Sequence, residues 1–219
     1  MKHLASLLAL AALTIGLASC TIISKPAVGE VVERTITITE TPVALAIQSG
    51  IDVIVDSTLP DGEIRVKTHT DIFDVLDISV EDKSLNIRLK SHSLYAKTLE
   101  VRVPHYDFSI IATSGGSELE WEGCNAESLV IATSGGSDIE ISGQCKQLTV
   151  AASGGADLDL EELIAESVDV SISGGADCSV HATNSLTINA SGGADIHYAG
   201  NPATTDINTS GGASVSRCD

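Results

Sequence analysis

The chain has 219 residues, with 12 bases against 30 acids and a formal net charge of −18 at neutral pH. Such a balance excludes nucleic acid as a partner, because phosphate binding needs a basic surface. Hydrophobic residues make up 43% of the chain but aromatic ones only 3%, which predicts a narrow aliphatic interior.

Residues 1–19 read as a secretory signal. Met1-Lys2-His3 precedes an apolar run from Leu4 to Leu17 that ends in small residues, the order of an exported chain. The run is too short to cross a bilayer as a stable helix. Leu17-Ala18-Ser19-Cys20 resembles the bacterial lipobox. That resemblance implies cleavage before Cys20, lipidation of its thiol and a membrane anchor. Thr21 follows the cysteine in place of aspartate, which implies sorting to the outer membrane. The other reading is an ordinary signal with a chance cysteine. Residues 20–30 then form a short tether.

Residues 31–108 are strand-rich and not repetitive. Val31 to Thr39 alternates apolar and polar, Val43 to Ile47 and Ile51 to Val55 flank Gln48-Ser49-Gly50, and Glu63 to Thr70 and Leu76 to Val80 come next. Glu81-Asp82-Lys83 before Ser84 to Leu89 predicts a hairpin. Leu99 to Val103 ends at Pro104, and Asp71 to Leu76 has room for one helical turn. No linker separates this part from residues 109–219, so it is expected to cap one continuous body.

Residues 109–219 carry a repeat. Ser-Gly-Gly, a small residue and usually an acid recur with serines at 114, 134, 153, 173, 191 and 210. A fixed period near twenty residues marks a stacked array. Segments with period two lie on both sides of each corner, which reads as strands with one buried face. One such unit cannot bury its face alone, but stacked units can. The fold class predicted is all-β: a parallel β-solenoid of about six coils, roughly 29 Å long at the usual strand spacing, with an N-terminal strand-rich cap. Leu119, Ile139, Leu158, Cys178, Ile196 and Val215 should form one inward ladder, and Ile131, Val150, Val170, Ile188 and Ile207 another. Each Gly-Gly leads into a strand, so it reads as a corner and not as a phosphate cradle at a helix start.

Against this pattern the chain resembles the head GIN domain family of bacterial envelope lipoproteins, the auto-transporter adhesins. The likeness rests on Ile47-Gln48-Ser49-Gly50-Ile51-Asp52-Val53, on the Ser-Gly-Gly-Ala-Asp corners, and on Ser191 through Pro202 with Ser210 through Val215 after it. It implies a right-handed parallel β-helix in the cell envelope. It carries over no established activity. This chain uses Gly-Gly where many members have Gly-Ser-Gly, which bears on corner geometry.

Acids line up in the repeat. Glu118, Asp138, Asp157, Asp177 and Asp195 share one position in successive coils, and Glu120, Glu140 and Asp159 share another. Between Ser109 and Asp219 the only bases are Lys146 and Arg217, against sixteen acids. Stacked carboxylates repel. They read either as a ladder of Ca²⁺ ligands or as a solvated acidic face. Cys124 and Cys145 lie at similar offsets from their corners, so a disulfide between adjacent coils is a candidate in an exported protein, whereas Cys178 falls on the inward ladder. Enzyme signals are weak. The histidines share no metal-ligand spacing, and no Gly-x-Ser-x-Gly elbow occurs. His197 and Tyr198 are the best lone catalytic candidates, and a surface strand explains them equally well. The function expected is non-catalytic: structural or adhesin-like binding of a glycan or an envelope protein. The face carrying Thr149, Asp169, Ser171, Thr187, Asn189, Asp206 and Asn208 is suited to sugars and equally to plain solvated surface. The alternative is a Ca²⁺-dependent or polysaccharide-active module using the acids. The last coil leaves an open edge that invites homo-oligomerisation.

Overall fold

The structure is a computed structural model that describes residues 25–27, 29–91, 94–95 and 97–218. Residues 1–19, which read as a signal, and Cys20 lie outside the described residues. The Ser-Gly-Gly region is a parallel β-solenoid. Four long strands each trace nearly a whole coil: β11 (Glu118–Gly135), β12 (Asp138–Gly154), β13 (Asp157–Gly174) and β14 (Asp177–Gly192). They are preceded by β10 (Ile110–Gly115) and succeeded by β15 (Asp195–Ala199), β16 (Thr204–Gly211) and β17 (Ser214–Arg217). Each level pairs with the next in parallel, like residue on like residue.

This register builds both predicted ladders. Leu119, Ile139, Leu158, Cys178 and Ile196 are buried in one, and Ile131, Val150, Val170 and Ile188 in the other. A third, shorter inward row is made of small side chains, Ala126, Cys145, Ala165 and Ala182. The repeat length varies between 18 and 20 residues. That variation is absorbed by register shifts between the strand after the corner and the return segment, as between Trp121 and Cys124. The corners themselves stay in line.

The first glycine of each corner has positive φ, from 74° at Gly211 to 125° at Gly174, and the second does not. The first also lies against the backbone of the coil below. A Cβ on Gly174 would meet the Gly154 carbonyl oxygen at 2.4 Å, whereas one on Gly175 would meet nothing within 4 Å. The two glycines therefore differ in role: one makes the turn and the close approach, and the other is free of both demands.

The solenoid continues below the repeats. β3 (Ala44–Gln48) pairs with β10, and β4 (Asp52–Asp56) pairs with the start of β11. Ser49 and Gly50, both at positive φ, make the corner between them. One level lower, β7 (Ser84–Leu89) pairs with β3 and β9 (Leu99–Pro104) with β4. The order in space is thus not the order in the chain. The chain lays down β3–β4, drops to β7–β9, and then climbs through the repeats. Antiparallel strands close this end. β2 (Val31–Thr37) and β5 (Glu63–His69) extend the β9 side, and β6 (Leu76–Glu81) extends β7 through a turn at Asp82-Lys83. β1 (Lys25–Pro26) and β8 (Leu94–Tyr95) form a separate short pair. A 3-10 turn, Ile72–Asp74, buries Ile72 and sets Phe73 beneath the Arg34 guanidinium at 4.3 Å. Three of the large aromatics gather at one height. Phe108 meets Tyr106 and Trp121 edge-on at 5.7 and 5.8 Å, filling the interior where the cap gives way to the repeat.

Candidate functional site: the acidic face

Parallel in-register pairing dictates the surface as well as the core. One outward column runs Glu100, Asp52, Glu118, Asp138, Asp157, Asp177, Asp195 and ends on Ser214. The next runs Arg102, Ile54, Glu120, Glu140, Asp159, Ser179, His197 and ends on Ser216. All five sequence-predicted acids therefore share one column. Sequence reasoning missed its lower continuation, Asp52 and Glu100. The signal for Asp52 was present, since Ser49-Gly50-Ile51-Asp52 is a shortened corner-plus-acid unit.

The columns perturb themselves. Burial first, and then the charges of Glu100 and Glu120, push the Asp52 carboxyl above its ordinary value. Glu118 rises through burial and then through Asp52, Glu120, Asp138 and Glu140. Asp157 rises through burial and then through Asp138, Asp177 and Asp159. Neutral partners take up some of the strain: the Ser179 hydroxyl donates to Asp159 at 2.9 Å and the Ser214 hydroxyl to Asp195 at 2.5 Å. Glu118, Glu120, Asp138, Glu140, Asp157 and Asp159 line one shallow concavity between the two columns. Among the described residues no group of three or more His, Cys, Asp or Glu comes together in a way that could hold a metal ion.

Two open clefts flank the columns. One, of about 750 Å³, has Glu140, Asp159, Glu161, Glu162, His181 and Arg217 in its walls. The other, of about 670 Å³, has Asp56, Thr58, Arg102, Glu120, Trp121 and Glu122. Arg102 is a cation that a reading confined to the repeat does not assign to this face. Its guanidinium pairs with Glu100 at 2.7 Å and Asp56 at 3.3 Å, and these contacts, Glu100 foremost, hold its pKa above the ordinary value. Asp56 is lowered, chiefly by hydrogen bonds from the Thr58 hydroxyl and amide and then by Arg102.

The remaining candidates fall elsewhere. Cys124 pairs in register with Gly143, and Cys145 with Ala126, so the two cysteines sit on adjacent coils but two positions apart. Both are buried free thiols in this structure, and the register shift after Trp121 offsets them along the strand. Burial pushes Cys124 up to about 12 and Cys145 up to about 11. Cys178 is buried on the inward ladder, as its position predicts, and burial pushes it to about 12. His197 and Tyr198 point to opposite faces of one strand. His197 Nδ1 lies 2.8 Å from the Ser216 hydroxyl, while Tyr198 packs against the core. The polar face stacks as two columns, Thr149–Asp169–Thr187–Asp206 and Ser171–Asn189–Asn208. Lower down, the same columns start apolar at Ile110 and Val130 and at Ala112 and Ala132, so this polar surface is confined to the later coils.

Residues 42–202 match the family described as "Putative auto-transporter adhesin, head GIN domain". The chain belongs to this family. Among solved structures, a putative adhesin from Bacteroides fragilis is similar at a TM-score of 0.70 and 16% identity, covering 89% of this chain and 100% of that one. A putative adhesin from Parabacteroides merdae is similar at 0.52 and 13%, covering 90% and 99%. A protein from Parabacteroides distasonis described as a putative lipid binding protein is similar at 0.54 and 15%, covering 90% and 100%. At these identities the likeness is one of fold. No curated protein matches the chain. The family and these neighbours are described by binding and not by catalysis, and the adhesin description fits a cell-envelope or surface location.

Proposed function

We propose that the chain is an outer-membrane lipoprotein, anchored through Cys20, whose solenoid serves as a non-catalytic, adhesin-like binding rod for a glycan or an envelope protein. The observation that carries this reading is the in-register polar face of the later coils. Parallel stacking repeats short hydroxyl, amide and carboxylate groups from Thr149 to Asn208 at about 5 Å intervals along the rod. A flat row of short, poorly flexible polar groups makes many hydrogen bonds for little ordering entropy, which suits sugar hydroxyls or an extended chain. The family assignment supports an adhesive role, and the lipobox-like Leu17 to Cys20 supports the anchor.

Two experiments test it. Palmitate labelling and membrane fractionation of the chain and of Cys20→Ala should show label and membrane association lost together; a Cys20→Ala chain that keeps both would refute the anchor. A glycan array and an envelope-protein capture, each run with the chain and with the Asn189→Ala, Asn208→Ala double variant, should give a signal that the variant loses. A signal that the variant retains places binding elsewhere. The competing reading, a Ca²⁺-dependent or polysaccharide-active module, draws on Arg102 and Arg217, which bring cations to the acidic clefts. Release of reducing ends from any polysaccharide, or binding abolished by chelator, would favour it over the first.

A further inference from the structure

A parallel sheet ends on a row of unpaired N–H and C=O groups, and such an edge templates another strand. The two ends of this solenoid treat that edge differently. At the N-terminal end, antiparallel β5 and β6 pair with the lowest coil and β2 with β5, so the outermost strands there, β2 and β6, run antiparallel to the strand each one covers. At the other end, β16 pairs only with β14, and β17 only with β15, among the described residues. All of β16 is exposed. Ile207 continues the buried ladder of Val170 and Ile188, yet it is 39% exposed.

The charge pattern changes at the same level. Column by column, Ser214 stands over Asp195 and Ser216 over His197. The carboxylates that would repel a further strand therefore stop one level before the edge. Proteins commonly guard an open edge with charge, but Asp206 is the one charged residue of β16.

We infer that β16 pairs antiparallel with β16 of a second copy of this chain, about a two-fold axis at Ile207. A strand that pairs with itself must be compatible with its own sequence reversed, and this one is. Centred on Ile207, isoleucine faces isoleucine, Thr205 faces Thr209, Asp206 faces Asn208, and Thr204 faces Ser210. Each opposed pair is apolar with apolar, hydroxyl with hydroxyl, or carboxylate with amide, and such cross-strand pairs are favourable. Moving the centre one residue back sets Asp206 against its own copy. Moving it one residue on sets Ile207 against Thr209. The contact closes as a dimer, since a two-fold interface uses the same surface on both sides.

The geometry deepens the adhesin reading and, for its membrane consequence, rests on the proposed anchor. The chain enters at the capped end, where residue 30 bonds to Thr70 and β2 joins β5. Pairing through β16 therefore sets the two tethers at opposite ends of one rod. With eight stacked levels per chain, from β7 to β16, that rod is about 77 Å long at the usual strand spacing. Anchored copies then meet across facing membranes. The contact is an edge and not a broad face, so the pair is weak and gains strength from many copies on each surface.

The test uses the processed full chain in detergent, carrying Cys218→Ser to remove the partly exposed thiol. Under mild oxidation, Ile207→Cys should form a disulfide-linked dimer at least tenfold faster than Asn208→Cys, because only a residue on the axis meets its own copy at bridging distance. A mixture of Thr205→Cys and Thr209→Cys chains should cross-link faster than either alone. Equal rates at all four positions, or no dimer, would overturn the pairing. A charge swap then checks the register. Asn208→Asp should lower the wild-type dimer fraction several-fold by opposing aspartates, and adding Asp206→Asn should restore it, with retained strand content by circular dichroism showing that both variants fold. Failure of the double variant to recover would overturn the Ile207 register. Finally, vesicles bearing the lipidated chain should cluster, and those bearing the Asn208→Asp chain should not. Cross-linking without clustering would leave the pairing standing and overturn the facing-membrane arrangement. Loss of cross-linking alone would leave the anchor and the glycan or protein binding of the polar face untouched.

Discussion

Gly174→Ala and Gly175→Ala change neighbouring residues of one Ser-Gly-Gly corner, and they should have very different consequences. Gly174 sits at φ 125°, where a side chain is strained, and its added Cβ would fall 2.4 Å from the Gly154 carbonyl oxygen and 2.8 Å from the Gly154 nitrogen. The backbone conformation costs about 1–2 kcal/mol for a residue with a Cβ. The overlap cannot be relieved by a flexible side chain, because the atoms it meets are main chain. They belong to the neighbouring coil, whose carbonyl accepts the Gly175 N–H at 2.8 Å. Forcing the coils apart adds about 1–3 kcal/mol, the range for an overpacked site. Together these give roughly 2–5 kcal/mol, which for a chain of this size lowers the thermal midpoint by about 4–20 °C. Gly175 has ordinary φ, and its added Cβ would meet nothing within 4 Å. Alanine there should fall within about 0.5 kcal/mol of the parent, or gain slightly by restricting the unfolded chain. Differential scanning calorimetry of the two variants beside the parent decides the matter. Equal losses, or a larger loss at Gly175, would refute the division of labour between the two glycines.

Three further outcomes rest on the same geometry. In native protein a thiol reagent should modify Cys218 and spare Cys124, Cys145 and Cys178, which are buried and pushed to about 12, 11 and 12; all four should react in denaturant without reductant, and a count of two would mean that Cys124 and Cys145 are bridged. Trp121→Ala should cost about 3–5 kcal/mol, read by chemical unfolding, whereas Trp121→Phe should cost far less because it keeps the contact with Phe108 and removes a buried indole N–H that has no partner. The acidic column should make the protein more stable at about pH 5 than at pH 7, because raised carboxyls bind protons in the folded state that the unfolded chain has released. This applies to Asp52, Glu118 and Asp157, so the gain develops as pH falls towards the range just above ordinary carboxylate values. Asp56, lowered chiefly by Thr58, and Asp77, where Lys90 and Arg88 outweigh burial, work the other way, and their contribution is lost only as pH falls through their lowered values. Asp157→Asn should raise the midpoint at pH 7 by about 1–2 °C, from roughly 0.5 kcal/mol of relieved repulsion, and should shrink the pH effect; a lower midpoint would refute the repulsion argument.

The repeat was legible because in-register stacking leaves a mark at every level. Leu119, Ile139 and Leu158 recur at the same offset from their glycines, and that offset fixes both the inward ladder and the acidic column beside it. Asp52 was legible in principle, since its corner differs from the others by one missing residue. Arg102 was not. It reaches the acidic face because β9 stacks beneath β4, although 46 residues separate Arg102 from Asp56 in the chain, and no periodicity announces that step. The relative placement of the cysteines was hidden for a related reason. Their offsets from the corner differ by one residue, and a shift in the return segment turns that small difference into a two-position separation.

A perfect repeat has a weakness that this chain counters outside its repeat. If every coil were the same, a strand could pair one level too high or low and still bury its ladder and stack its acids, so register would be poorly specified. What breaks the degeneracy is the part that does not repeat. Trp121 fits at one height only, against Phe108 and His105, whereas the levels above it hold Ile141, Leu160 and Val180 at the same position. Below it, β3–β4 must receive β10–β11 while β7–β9 holds them from the other side. The unequal return segments add a second check, because each matches one neighbour's bulge. The exposed Lys146–Glu127 pair at 2.7 Å joins adjacent coils, but a surface ion pair is worth only about 0–1 kcal/mol and cannot set register alone. On this argument the aromatic junction is where folding of the solenoid is aligned, and the later coils, alike and mutually repelling along their acids, are ordered by stacking upon it.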